Sequence, residues 1–157
     1  MNIFVSDLSP KESAINLDDK RVVKMVLESA QILSTAMNEK GITKGPYRST
    51  HINHPSCVWA SQNSENFRWL TEHFYWLCME YEYRYNKEHK CFAMYEIFKE
   101  VDTEFKLSEK MTPFPNCTTF KDIKEVTLAY RKYLVQKWEN DKRFPRWTNR
   151  TKPIWVS

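Results

Sequence analysis

Glycine is nearly missing from this chain, with only Gly41 and Gly45 in 157 residues. β-rich folds use glycine in their tight turns and phosphate-cradling loops use it in runs, so the sequence argues against both. Long, glycine-free periodic segments point instead to helices. The four cysteines, Cys57, Cys78, Cys91 and Cys117, are scattered without a CxxC pair. Cys78 falls on the apolar side of a helical pattern, where a buried free thiol is the default. A zinc site built from Cys91, Cys117 and histidines has no supporting spacing, so no metal is expected, and no cofactor. HExxH, a nucleophile elbow and an acidic metal cluster are all absent, which withdraws support from the hydrolase classes built on them. No uncharged run approaches the length of a membrane span, and MNIFVSD lacks the basic and apolar regions of a signal peptide. The expected setting is a reduced cytoplasm, with no membrane partner.

Aromatic residues, by contrast, make up 15% of the chain and include six Trp, enough for a core of large rings or for rings kept for stacking. The formal charge is +4 and the pI is near 8.8. Cations concentrate in the last segment, 142–157, which carries Lys142, Arg143, Arg146, Arg150 and Lys152 with no acid. Interleaved with Phe144, Trp147 and Trp155, they offer charges for phosphates and rings for bases. The plainer alternative is a basic tail whose aromatics dock on a helical core, and the two can hold together.

The stretch around which the chain is organised runs from Asp18 to Gly41. At a helical period its apolar residues cover more than half the circumference, leaving one narrow polar stripe of Lys20, Arg21, Lys24, Glu28, Gln31 and Thr35. Such a helix is expected to be buried on most sides, with the stripe in a cleft or under a loop. Asp18 or Asp19 caps its start, and Gly41 stops it at the C′ position.

The other elements follow in order. Met1 to Val5 is a short strand or an arm tucked on the core, and Pro10 opens a short helix to about Asn16. Residues 41–55, with both glycines and two histidines, form a loop of the kind that carries binding groups. A short helix over SCVWASQ stops near Asn63. A strong helix runs from Glu65 to about Asn86, and its apolar face is read as core. Residues 91–101 form another helix. A long connection from Asp102 to Phe120 precedes the last helix, Lys121 to about Asp141. The whole, 1–157, is expected to be one compact all-α domain of five or six helices with a short N-terminal arm.

Glu28 has the sharpest chemical reading, as the only acid on the stripe before the helix ends. Neighbouring cations would keep it ionised while partial burial would raise its pKa. A carboxylate so placed can act as a base, or stabilise a cation developing at a sugar C1′. The plain reading is a Lys24–Glu28 pair on a wet face, contributing a few tenths of a kcal/mol (~0.3–0.5). His51 and His54 in THINHP could serve as acid and base or hold a phosphate, or could simply hydrogen-bond the loop backbone.

The string MNIFVSD…LDDKRVVKMVLESAQILSTA…NHPSCVWASQNSENFRWL…EYEYRY resembles a family of small proteins encoded in phage genomes, which implies a phage origin but no activity. The order of features also resembles the phage-type pyrimidine-dimer DNA glycosylases of the endonuclease V type. Asp19, Arg21, Val22 and Glu28 align without a gap on that family's early-helix run, Asn53-His54-Pro55 is similar to a loop in bacterial members, and the aromatic basic tail matches in kind. The resemblance implies an all-α domain with an arm entering between helices, Glu28 as the catalytic carboxylate, and Arg21 and Lys24 on DNA phosphates. It also implies attack by an α-amino group exposed when the initiator Met is removed. Residue 2 is Asn here, which disfavours that removal and would leave the amine of Met1. Leu27 stands where the family has a second Arg.

The expectation is a phage DNA-processing protein in the host cytoplasm, a hydrolase of glycosylase type. It would hold double-stranded DNA through Lys20, Arg21, Lys24, Gln31, Tyr47, Arg48, Arg143, Arg146, Trp147 and Arg150, with Glu28, His51 and His54 as catalytic candidates. Two alternatives stay open. One is a transferase that modifies pyrimidines in phage DNA, and the other is a non-enzymatic protein that binds and inhibits a host factor.

Overall fold

The computed structural model describes all residues except 102, 103 and 109. Six helices follow in order: α1 (Pro10–Ile15), α2 (Asp19–Glu39), α3 (Pro55–Ala60), α4 (Ser64–Tyr85), α5 (Tyr95–Val101) and α6 (Val126–Asn140), with a 3-10 turn at Lys90–Met94 before α5. Among the described residues there is no strand, so the fold is all-α. No helix among them is long and apolar enough to cross a membrane.

Helices start where capping chemistry allows. Ser9 accepts from the Glu12 amide ahead of Pro10, and Asn63 accepts from the Asn66 amide at the head of α4. At the end of α2, Gly41 takes a φ of +63°, the left-handed turn expected of a residue just past a helix. Two boundaries differ from the sequence reading. Residues 90–101 split into the 3-10 turn and α5, and α6 begins at Val126 instead of Lys121. Ile123 closes a turn on the Phe120 carbonyl, and Glu125 is extended, so the pattern at 121–125 belongs to a turn that feeds the helix.

One cluster of buried apolar side chains draws on the arm, α2, α3, α4, α5 and α6. Ile3, Phe4 and Val5 of the arm are all at most 5% exposed. Phe4 stacks on Tyr133 at 6.1 Å and meets the edge of Tyr130 at 6.3 Å, so the arm lies along α6. On its other side, the Trp69 indole donates to the Leu8 carbonyl at 2.8 Å. The arm is therefore a packed segment with a turn at Phe4 and no strand pairing, which resolves the strand-or-arm alternative.

Loop 41–55 is sewn to α2 by side chains of that helix. Asn38 accepts from the Gly45 amide (2.7 Å) and donates to the Tyr47 carbonyl (2.9 Å), while Thr35 accepts from the Thr50 amide (3.1 Å). A Cβ at Gly45 would sit 2.6 Å from the Ser34 carbonyl oxygen, so only glycine lets the loop lie this close. Thr35, at the end of the polar stripe, is thus covered by a loop as its pattern suggested.

His73 of α4 is fully buried against Trp69, its ring 5.2 Å from the indole. Its Nδ1 donates to the Pro10 carbonyl at 2.9 Å, and Nε2 has no hydrogen bond of ordinary geometry among the described residues. Burial pushes its pKa down to about 4, against the pull of backbone groups of Pro10 and Ile3. The folded value lies below the unfolded one, so the folded protein prefers the neutral ring. Stability is then lost as pH falls from about 6.5 toward 4, by about 3 kcal/mol from this group. Urea midpoints measured across that window should fall in the wild type and stay flatter in His73→Phe. Equal slopes for the two proteins would assign the loss to other groups.

Candidate active site

Three parts of the chain meet near the middle of α2. The arm brings the first residues, α2 brings Glu28, and the turn before α3 brings His51 and His54. Asn2 shapes the end of the arm with its own side chain. Its Oδ1 accepts from the Ile3 and Phe4 amides (2.8 and 3.2 Å), and Phe4 takes a φ of 60°. The Asn2 backbone N–H then donates to Glu28 Oε2 at 3.3 Å. The other carboxylate oxygen lies 3.4 Å from Lys24 Nζ. The i,i+4 pair therefore exists, but the Glu28 side chain is 14% exposed and its second oxygen is held by the arm.

His54 caps α3, its Nδ1 accepting from the Ser56 amide at 3.1 Å. Its pKa is lowered, first by burial and then by the positive fields of the N-terminal amine and His51, while Glu28 pulls it up. These four groups therefore share one electrostatic environment. His51 sits at a φ of 50° with Nδ1 bonded to the Thr50 hydroxyl at 2.8 Å. Both histidines keep Nε2 without a hydrogen bond among the described residues. Cys57 lies beneath, its thiol donating to Met1 Sδ at 3.5 Å. Burial pushes that thiol up to about 11, partly countered by the amine, so it stays protonated.

Beside Glu28 a groove of about 570 Å³ opens along α2, lined by Lys24, Glu28, Gln31, Val23, Leu27 and side chains from the 47 and 81–91 regions. Val23 and Leu27 are 40% and 39% exposed. Tyr47 closes one side, its hydroxyl 3.4 Å from Cys91 Sγ. That contact and burial push the Tyr47 pKa up to about 12. The open face of α2 is thus Lys20, Val23, Lys24, Leu27, Glu28 and Gln31, mixed in polarity. Val23 and Leu27 count among the apolar residues of a helix expected to be buried on most sides, although their spacing places them on the same side as the stripe.

Arg21 is a correction to the expected DNA contacts. Its side chain is 8% exposed and its guanidinium is shared between Asp18 and Asp141, at 3.1 and 3.0 Å. Burial alone would raise the Asp141 carboxyl, but hydrogen bonds from Arg21 and Lys20 outweigh it and hold it below its usual value. Trp147 and Arg150 are also turned inward. The Trp147 indole donates to the Asn16 carbonyl at 3.0 Å, and Arg150 grips both Glu80 oxygens at 2.9 and 3.0 Å. Of the other expected contacts, Lys20, Lys24, Arg48, Arg143 and Arg146 are exposed, while Gln31 and Tyr47 are half-buried. The arm residue Asn2 was not among the expected site residues, although the resemblance pointed to the start of the chain and the apolar run that follows says that residues 3–5 are anchored.

A family model described as pyrimidine dimer DNA glycosylase matches residues 1–93, more than half of the chain. The chain belongs to the pyrimidine dimer DNA glycosylase family. No curated protein and no solved structure gave a match. Family membership supports a glycosylase-like role in DNA processing. The matched residues include the arm, α1 to α4 and the turn at 90–93, and hence Asn2, Glu28, His51, His54 and most of the groove. Helices α5 and α6 and the tail lie beyond them. Among the described residues, no three His, Cys, Asp or Glu side chains converge as a metal site would require.

Proposed function

We propose that this member of the pyrimidine dimer DNA glycosylase family excises a base from double-stranded DNA. Glu28 acts at C1′ of the affected nucleotide, and an α-amino group at the end of the arm is the nucleophile. The observation that carries this reading is the hydrogen bond from the backbone nitrogen of residue 2 to Glu28 Oε2, 3.3 Å long. The arm delivers the start of the chain to the one carboxylate on the open face of α2. With the initiator Met removed, that nitrogen would itself be the amine; with it retained, the Met1 amine lies one residue away, and its charge is among the causes that lower the His54 pKa.

The chemistry balances without a metal. A neutral amine attacks C1′ as the C1′–N bond to the base breaks, and the base leaves with the bonding pair and takes a proton. The Glu28 carboxylate stabilises positive charge as it grows at C1′. The sugar ring opens to an iminium on the enzyme as O4′ takes a proton, a base removes the C2′ proton as the 3′ phosphate leaves, and water then hydrolyses the imine to restore the amine. His54, bound through Nδ1, offers Nε2 for proton transfer. The groove with Val23, Leu27 and Tyr47 gives an unstacked base an apolar resting place.

Borohydride trapping tests this directly. Incubated with duplex DNA carrying a pyrimidine dimer, the protein should give a covalent adduct through its first residue and should nick the strand. DNA binding with neither adduct nor nick would overturn the lyase step and favour a transferase using His51 or His54. Absence of salt-dependent DNA binding would favour a protein that binds a host factor.

A further inference from the structure

The loop at residues 141–146 is fixed at both ends. At one end, the Asp141 carboxylate accepts from Lys20 Nζ at 3.1 Å and from Arg21 at 3.0 Å. At the other, the Arg146 carbonyl accepts from the Asp19 amide at 2.8 Å, and Trp147 meets the Trp138 ring edge-on at 5.0 Å. Trp155 stacks on the other side of the same ring, at 5.7 Å. Between these anchors, Phe144 is 94% exposed. The side chains of Lys142, Arg143 and Arg146 are exposed around it, with no ion-pair or hydrogen-bond partner among the described residues. Pro145 stiffens the backbone just after the ring.

The exposure of Phe144 is therefore not fraying, because the same segment docks its other two large rings. A ring held out among three unpaired cations is poorly suited to an apolar protein surface, which would have to bury those charges without partners. It suits a polyanion that also offers flat apolar surfaces. Proteins that kink a duplex insert such an apolar side chain between base steps and hold the flanking phosphates with cations.

The position agrees with the site. Lys20 anchors the loop on the open side of α2, and Glu28 lies eight residues further on, about 12 Å along a helix rising ~1.5 Å per residue. We infer that Phe144 is a wedge that enters a base step to one side of the nucleotide at Glu28, with Lys142, Arg143 and Arg146 on adjacent phosphates. The inference rests on the reading of DNA as substrate. It supplies what the residues around Glu28 lack, a group that distorts the duplex.

The test uses the full chain and a duplex with one pyrimidine dimer, 2-aminopurine placed at successive steps and dyes at both ends. Wild type should raise 2-aminopurine emission at one step outside the dimer and shorten the end-to-end distance. Phe144→Ala should abolish both changes and weaken binding about tenfold. Its helical circular dichroism and salt dependence should not change, and Phe144→Trp should restore unstacking. Arg143→Ala/Arg146→Ala should instead reduce the slope of log K against log salt by about 2. Phe144→Ala with unchanged bending, emission and affinity would overturn the wedge while leaving the DNA reading intact. So would a loss of self-association in Phe144→Ala with bending unchanged. No salt-dependent binding by wild type would remove the DNA reading itself.

Discussion

Glu28→Gln should lower base excision on the order of 10²–10³-fold, about 3–4 kcal/mol of transition-state stabilisation, while leaving DNA affinity within about twofold. Gln keeps the shape and still accepts from the Asn2 amide, so the arm should stay in place. What it removes is the charge opposite a developing cation. The fold should tolerate the change, because the Lys24–Glu28 pair has a 64% exposed lysine and contributes only tenths of a kcal/mol (~0.3–0.5). A second readout separates charge from structure. Glu28 raises the His54 pKa, so the variant's His54 should titrate lower still, measurable by NMR. Full activity in Glu28→Gln would eliminate the carboxylate from the mechanism. Lost activity with a displaced arm and an unshifted His54 would assign Glu28 a scaffolding role.

Glu80→Ala should cost about 3–5 kcal/mol, because it strands buried guanidinium charge. Glu80 is 4% exposed on α4 and accepts from Arg84 Nε and from Arg150. The Arg84 side chain is fully buried, and its other nitrogens reach Asp19 at 3.0 Å and the Ile15 carbonyl at 3.0 Å. Asp19 in turn holds the Thr148 amide and hydroxyl, at 2.9 and 2.6 Å. This one chain of charges ties α4, the head of α2 and the tail together, so its loss should also loosen the tail. Urea titration gives the first number, and trypsin cleavage after Arg146 or Arg150 reads the second. Arg150→Ala, at a residue already partly in water, should free the tail at a smaller cost. A loss below about 1 kcal/mol in Glu80→Ala would mean that water replaces the carboxylate.

Helix α4 was legible because its rings recur at threes and fours, and α2 because so little of its circumference is polar. The candidate site was half legible. Glu28 stood out as one acid among cations, and the THINHP histidines as a pair, but nothing in their spacing said that they share a field with the start of the chain. Periodicity reports which side of a helix a residue lies on, not what covers that side. Arg21 looked open and is covered, while Val23 and Leu27 looked buried and are open. Arg21 was misread because Asp141, its partner, is 120 residues away. The tail posed the same difficulty. Composition treats Phe144, Trp147 and Trp155 alike, whereas tertiary packing docks the two Trp rings and leaves the Phe ring exposed.

The route of the arm also bears on the order in which the molecule assembles. Residues 2–6 are synthesised long before the helix that seats them, since Phe4 rests on Tyr130 and Tyr133 and the Arg131 guanidinium donates to the Ser6 carbonyl. Until α6 has been made and packed, the backbone nitrogen that meets Glu28 has no fixed address. Contacts spanning so much of the chain are slow to close. The earliest residues are then among the last to settle, and a nascent chain carries an unassembled centre.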